Sequence, residues 1–165
     1  MNANELPPLV FPGELLVDDI TELRLLRRLG PEGAMERPAE QQFLAHCIEY
    51  RFAIHRRGDG VRVGRIHVRC TDDPTILRAL GHCGYEIDPA HRRQGHAARA
   101  VRLICGLARY LGMRSLLILI EPENEASLRT VEKAGLKYVD TVQASPEALG
   151  MGCGPVLCRY EMGNL

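Results

Sequence analysis

The stretch Pro89-Ala90-His91-Arg92-Arg93-Gln94-Gly95-His96-Ala97-Ala98-Arg99-Ala100 decides how the rest of the chain is read. It is a basic, glycine-containing turn that runs directly into a segment whose apolar residues, Ala100, Val101, Ile104, Leu107, Ala108 and Leu111, recur with helical spacing. Gly112 stands where such a helix ends on a left-handed residue. Backbone amides entering a helix N-terminus have unpaired N–H groups with the positive end of the helix dipole behind them, an arrangement that suits a phosphate. Gly95 lets ligand oxygens approach where a Cβ would intrude, and Ala97 keeps the next contact small. A surface turn with solvated arginines has the same composition, so the flanking elements must decide.

Working outward, Gly81 to Ile87 reads as a strand that Asp88-Pro89 stops, because proline brings no N–H to a ladder. Beyond the helix, Ser115 to Ile120 is an aliphatic run too short for a helix and suited to a buried strand. Strand, turn, helix, strand is a parallel crossover. A second helix starts near Asn124, shows Leu128 and Val131 on one side and ends at Gly135, and strands follow at Leu136 to Val142 and Val156 to Tyr160. Upstream, Tyr50 to His55 and Val61 to Val68 alternate apolar and polar residues around Arg57-Gly58-Asp59-Gly60, which predicts a hairpin. Asp72 to Leu80 reads as a connector broken at Pro74, and Ala39 to Cys47 as a short helix-compatible piece. Leu15 to Val17 and Leu23 to Leu26 open the sheet around an Asp18-Asp19 turn. Residues 1–13 are proline-rich and read as a loose arm, leaving 14–165 as one domain.

Composition narrows the function classes. A chain of 165 residues with net charge zero has no global basic field to draw a nucleic acid or a membrane surface, although a homodimer is compatible with the sequence. No run reaches the roughly 18 apolar residues of a membrane span, and the first residues lack the pattern of a signal peptide, so a soluble cytoplasmic protein is expected. The six cysteines form no C-x-x-C pair and have no partnered histidine at zinc spacing. Reduced thiols and no metal site are therefore expected.

From Tyr85 to Val139 the chain resembles the GNAT superfamily of acetyl-CoA-dependent N-acyltransferases. The family's pyrophosphate motif is Gln or Arg, two residues, Gly, one residue, Gly or Ala, and Arg92, Gly95 and Ala97 meet it. The run Asn124-Glu125-Ala126-Ser127-Leu128-Arg129, followed by Glu132-Lys133-Ala134-Gly135-Leu136, is similar to its second signature. The Asn-x-x-Ser form looks most like the branch of ribosomal-protein N-terminal acetyltransferases. The resemblance implies an α/β (α+β) fold: a mixed, mainly antiparallel sheet splayed at two parallel central strands and flanked by helices. It also implies direct acetyl transfer from acetyl-CoA to a primary amine, on a protein N-terminus, an amino acid or a small molecule. The alternative is a non-catalytic acyl-CoA-binding or protein-interaction module with the same fold.

The resemblance carries over residue by residue. Tyr85, Glu86 and Ile87 fall where the strand backbone pairs with the pantetheine arm, with the Ile87 N–H as oxyanion donor. Arg93, Gln94, Gly95, His96, Ala97 and Ala98 fall on the amide cradle, and Arg92 or Arg93 adds a charge-assisted contact. Asn124 matches a residue that bonds the cofactor arm, and it also reads as a helix N-cap. An amine must lose its proton before attack, and Glu86 is the candidate base if partial burial raises its pKa. A base used by some relatives falls at Leu119, and the tyrosine acid of much of the superfamily falls at Val131. Ser127 becomes the candidate donor to the departing thiolate. His91 and His96 read as solvated or phosphate-adjacent.

The acceptor side carries no motif. If Gly30 to Cys47 and Asp72 to Leu80 frame it, then Glu32, Glu36, Glu40, Asp72 and Asp73 against Arg37 and Arg78 give an acidic rim that attracts a cationic amine.

Overall fold

The computed structural model describes residues 15–31 and 37–165, so the expected arm at 1–13 lies outside the described residues. Period-two patterning builds the first sheet. Along β3 (Ile48–Arg56), Tyr50, Phe52 and Ile54 alternate with Glu49, Arg51 and Ala53; along β4 (Arg62–Cys70), Ile66 and Val68 alternate with Arg65, His67 and Arg69. One face of each strand therefore enters the core and the other carries charge. The turn between them closes as expected, with Gly60 at φ +71° and the Asp59 carboxylate accepting from Arg56 at 2.6 Å and from the Val61 N–H at 3.2 Å. With β1 (Leu15–Val17), β2 (Thr21–Leu29) and β5 (Cys83–Ile87) the order is β1-β2-β3-β4-β5, antiparallel throughout.

Helix α1 (Pro74–Leu80) stands where the sequence suggested a broken connector. Pro74 opens the helix: at the first helical position its missing N–H would have had no partner, and Asp73 caps the turn by accepting from the Thr75 N–H at 2.8 Å. Ala39–Leu44 is a 3-10 helix, not an α-helix. Helix α4 (Pro146–Gly150), unpredicted, has the same start signal, Ser145 capping Ala148 ahead of Pro146. Helices α2 (His96–Tyr110) and α3 (Glu125–Ala134) follow the predicted periodicity and end close to Gly112 and at Gly135.

The second sheet contains β6 (Ser115–Ile120), β7 (Lys137–Gln143) and β8 (Val156–Gly163) in the order β6-β8-β7, again antiparallel. The sheet is divided where it was expected to splay: β5 and β6 form no ladder. They are joined at one end by His82. Its N–H donates to the Leu117 carbonyl at 2.7 Å, while its Nδ1 accepts from the Leu117 N–H at 2.8 Å and its Nε2 donates to the Thr71 carbonyl at 3.1 Å. Nδ1 is thereby the acceptor and Nε2 carries the proton. Gly81 makes the approach possible, since at φ +64° a Cβ would lie 2.7 Å from the Leu117 carbonyl oxygen.

Helix α2 bridges both sheets. Val101, Ile104, Leu107 and Ala108 are buried in one core with Phe52 and Ile66 of the first sheet and with Leu116, Ile118 and Tyr160 of the second. Fully burying each aliphatic side chain of this kind contributes about 1.5–3 kcal/mol. The opposite side is covered by α1, the 3-10 helix and α4 through two small clusters around Leu44 and Ile76 and around Ala148 and Leu157. The result is an α+β domain whose sheet is divided between β5 and β6, with a helix holding the halves together.

Candidate active site

The division of the sheet leaves the β5 edge without a partner strand among the described residues. Even-numbered residues of β5 face β4: Asp88 donates to the Val63 carbonyl and the His82 carbonyl accepts from Arg69. Strand alternation therefore turns the backbone groups of Cys83, Tyr85 and Ile87 toward the gap. A cavity of about 300 Å³ occupies it, lined by Gly84 and Tyr85 of β5, by Ile118 to Glu121, and by Asn124 and Ser127 of α3.

The chain leaving β5 enters α2 through a strained turn. Arg93 has φ +63°, a left-handed conformation unusual for a side-chain-bearing residue, and Gly95 has φ +82°. Gly95 is the N-cap of α2, so no side chain caps this helix and its first turn carries no acid; α1, α3 and α4 are all capped by side chains. An ideal Cβ on Gly95 meets nothing within 4 Å, so the concavity is open to a ligand. The arrangement fits a pyrophosphate: amides free at His96, Ala97 and Ala98, positive dipole behind them, and Arg92 and Arg93 exposed alongside. Arg92 also ties the turn to the strand, its Nε donating to the Ile87 carbonyl at 3.0 Å.

The His96 side chain departs from expectation. It is buried, with Nδ1 3.1 Å from Thr21 Oγ1, because the first helical residue here faces β2 and not the turn. Only its backbone N–H belongs to the cradle. Arg99, one turn on, anchors the same helix end to Asp18 at 3.2 Å and to Asp19 at 2.6 Å.

On the far side of the gap, Asn124 is the N-cap of α3, accepts from the Ser127 N–H at 3.2 Å and lines the cavity. Val131 is fully buried. The Tyr85 side chain, unremarked in the sequence reading, reaches α3 instead: its hydroxyl donates to the Ser127 carbonyl at 3.3 Å. Burial pushes its pKa up to about 12, so it stays protonated at neutral pH.

Glu86 differs from expectation more sharply. Its side chain is 53 % exposed and bonds Arg65 at 2.6 Å, because β5 turns position 86 away from the core and next to a β4 arginine. The partial burial invoked to make it a stronger base is absent.

Glu86 instead lines a second cavity of about 560 Å³ on the charged face of the first sheet. Gly84 and Tyr85 line both cavities and form the wall between them. The residues expected to form an acidic rim are not those of this second cavity. Glu32 and Glu36 lie outside the described residues, and none of Glu40, Asp72, Asp73, Arg37 or Arg78 lines it. Its charged lining comes from alternate strand positions: Arg51, Arg62, Arg65 and Arg69 against Glu49 and Glu86. Glu49 is buried and lies 2.5 Å from Arg51 Nε and 3.0 Å from Arg69 Nε. Burial alone would raise its pKa; Arg69 and the other neighbouring cations overcome this and hold the carboxyl below its usual range. Arg69 also donates to His67 Nε2 at 2.8 Å, and burial, reinforced by Arg69, drives the His67 pKa down to about 3. His67 is therefore neutral, and among the described residues no acidic, cysteine or histidine cluster is arranged for a metal.

The sequence matches the family model for the acetyltransferase (GNAT) domain over residues 22–137, more than half of the chain, and the protein belongs to that family. Solved structures share its fold. A GNAT-family acetyltransferase from Bacillus anthracis superposes with TM-score 0.63 at 12 % identity, covering 91 % of this chain and 98 % of its own. The ribosomal-protein-S5-alanine acetyltransferase from Vibrio fischeri gives TM-score 0.61 at 14 % identity, covering 91 % and 96 %. A Vibrio cholerae structure provisionally described as a ribosomal-protein-serine acetyltransferase gives 0.62 at 18 % identity, covering 93 % and 99 %. No curated protein matches the sequence significantly. The protein is an acetyltransferase-family domain, and no helix among its described residues is long and apolar enough to cross a membrane.

Proposed function

We propose that the chain transfers the acetyl group of acetyl-CoA directly to a primary amine. The observation that carries this reading is the continuity of the gap between β5 and β6, with its unpaired β5 edge, and the uncapped N-terminus of α2 that follows β5. Acetyl-CoA brings the activated thioester. The amides of Arg93 to Ala98 hold the pyrophosphate, the outward backbone groups of Tyr85 and Ile87 orient the pantetheine arm, and Asn124 holds it from α3.

In this reading the Ile87 N–H stabilises the carbonyl oxygen as it becomes negative. The amine arrives from the charged cavity, across the wall made by Gly84 and Tyr85. Glu86 lies on that side and takes the ammonium proton, with water completing the relay, since the carboxylate is open to solvent. Ser127, beside the protonated Tyr85, gives a hydrogen bond or proton to the departing thiolate. The six free thiols fit a reducing, cytoplasmic setting.

Calorimetric titration with acetyl-CoA, followed by CoA release in the presence of an amine panel, tests the reading. Micromolar binding with amine-dependent release supports it, and absence of binding overturns it. The buried Val131 and the exposed Glu86 favour one other reading, a module that holds acyl-CoA without turnover, which binding without transfer to any amine would establish.

A further inference from the structure

The second cavity carries more information than the acetyl-transfer reading uses. Its lining has four guanidinium groups and two carboxylates, and His67 between them is uncharged. Both carboxylates are already engaged: Glu49 by Arg51 and Arg69, Glu86 by Arg65. Neither carboxylate is free of an ion pair, whereas positive charge is in excess. Arg62 is exposed and no ion pair involving it occurs among the described residues. Arg51 and Arg65 remain 45 % and 68 % exposed, so an incoming anion can reach them.

A second, independent observation points the same way. Arg69, which lines the cavity, is buried, and its Nε lies 3.0 Å from Glu49 yet off hydrogen-bond alignment, so that donor lacks a hydrogen-bond partner. Buried cations with unsatisfied donors are costly unless an anion completes the site.

We propose that the acceptor is a small amine that also carries an anionic group, a carboxylate or a phosphate, and that Arg51, Arg62 and Arg65 bind this group while the amine reaches the Gly84–Tyr85 wall. The inference rests on the acetyl-transfer reading and deepens it. Guanidinium forks match both anions through paired N–H donors. A cavity of about 560 Å³ accommodates a ligand of metabolite size. Leu26, 57 % exposed and in the same lining, offers an apolar contact to the remainder of the molecule.

The test uses matched pairs of amines differing only in the anion: β-alanine against β-alaninamide, and phosphoethanolamine against ethanolamine. Binding to the CoA-loaded protein is measured by calorimetry and transfer by CoA release. The proposal expects the charged member of at least one pair to bind at least ten-fold more tightly, and the favoured pair identifies carboxylate or phosphate as the source. It further expects the apparent KM to rise with ionic strength. Arg62→Gln and Arg51→Gln should each weaken that member at least five-fold while acetyl-CoA affinity stays unchanged. Equal or weaker binding of both charged members, or no binding of any of the four, overturns the proposal. The acetyl-transfer reading fails separately, through loss of acetyl-CoA binding.

Discussion

The Tyr85 hydroxyl donates to the Ser127 carbonyl at 3.3 Å, linking β5 to α3 at the gap where the two sheets part. The partnership places a part-buried, protonated phenol at the start of α3, beside the cavity that Ser127 also lines. If Ser127 assists thiolate departure, Ser127→Ala lowers kcat roughly ten-fold, about 1.4 kcal/mol of transition-state stabilisation, and leaves acetyl-CoA affinity unchanged. Tyr85→Phe removes one hydrogen bond and costs about 1 kcal/mol of stability. Steady-state kinetics beside calorimetry separate the two effects, and a loss of affinity at constant kcat in Ser127→Ala would reduce the serine to a cofactor contact.

Gly95 tests the cradle. Its positive φ already disfavours any side chain, and the space beside it is empty, so Gly95→Ala strains the turn by about 1 kcal/mol but still folds. Gly95→Glu adds a carboxylate at the position assigned to the pyrophosphate, and acetyl-CoA binding should then fall at least a hundred-fold, the equivalent of about 2.7 kcal/mol. A folded Gly95→Glu protein with unchanged affinity refutes the placement.

The His82 side chain is bonded to both Leu117 and Thr71, and its backbone N–H is also bonded to Leu117. His82→Ala leaves the part-buried Leu117 N–H and Thr71 carbonyl without their partner, so we expect a loss of about 1–3 kcal/mol. Because this contact sets where the sheets separate, acetyl-CoA affinity should fall with stability. A denaturant titration that leaves His82→Ala within about 0.5 kcal/mol of the parent would show that the helix α2 core alone fixes the gap.

His67 sets a pH dependence. Its folded value lies near 3 against an ordinary 6.5, so the unfolded chain takes up the proton first as pH falls. The stability tied to the neutral ring is complete above 6.5 and is lost as pH falls from 6.5 toward 3, by up to about 1.4 kcal/mol per pH unit. His67→Gln, whose amide oxygen still accepts from Arg69, should flatten the acid limb of stability across that window. Ring chemical shifts in the parent should show no titration between pH 8 and 5; a midpoint near 6.5 would contradict the buried, neutral assignment.

The sequence showed the turn before α2 and both long helices, because Gly95, Asn124, Gly112 and Gly135 are local signals whose meaning depends on their neighbours. Pro74 was ambiguous, since proline stops one element and starts another; only Asp73 ahead of it marks the start of a helix. His82 was silent because its partners are 11 and 35 residues away. The second cavity was silent for a related reason: its charged lining comes from Glu49 and Arg51, and from Arg65, His67 and Arg69, every second residue of two neighbouring strands. That alternation was visible, but the face it presented depended on which side α2 covered.

Glu86 is the last test of the chemistry. A buried, positioned general base contributes about 10²–10⁴ in rate, but this carboxylate is exposed and bonded to Arg65 at 2.6 Å. An ion pair open to solvent is screened and weak. We therefore expect Glu86→Gln to lower kcat/KM by no more than about ten-fold, with Arg65→Gln, which frees the carboxylate, losing less on a neutral amine. The rising limb of the pH profile should follow the pKa of the acceptor amine, near 10 for a lysine-like amine and near 8 for an α-amine, in parent and Glu86→Gln alike. Rate measurements from pH 6 to 10 with two amines of different pKa decide the matter. A thousand-fold loss in Glu86→Gln, with a limb that no longer shifts between amines in the parent, would instead make Glu86 the principal base and require its side chain to close over the gap when substrate is bound.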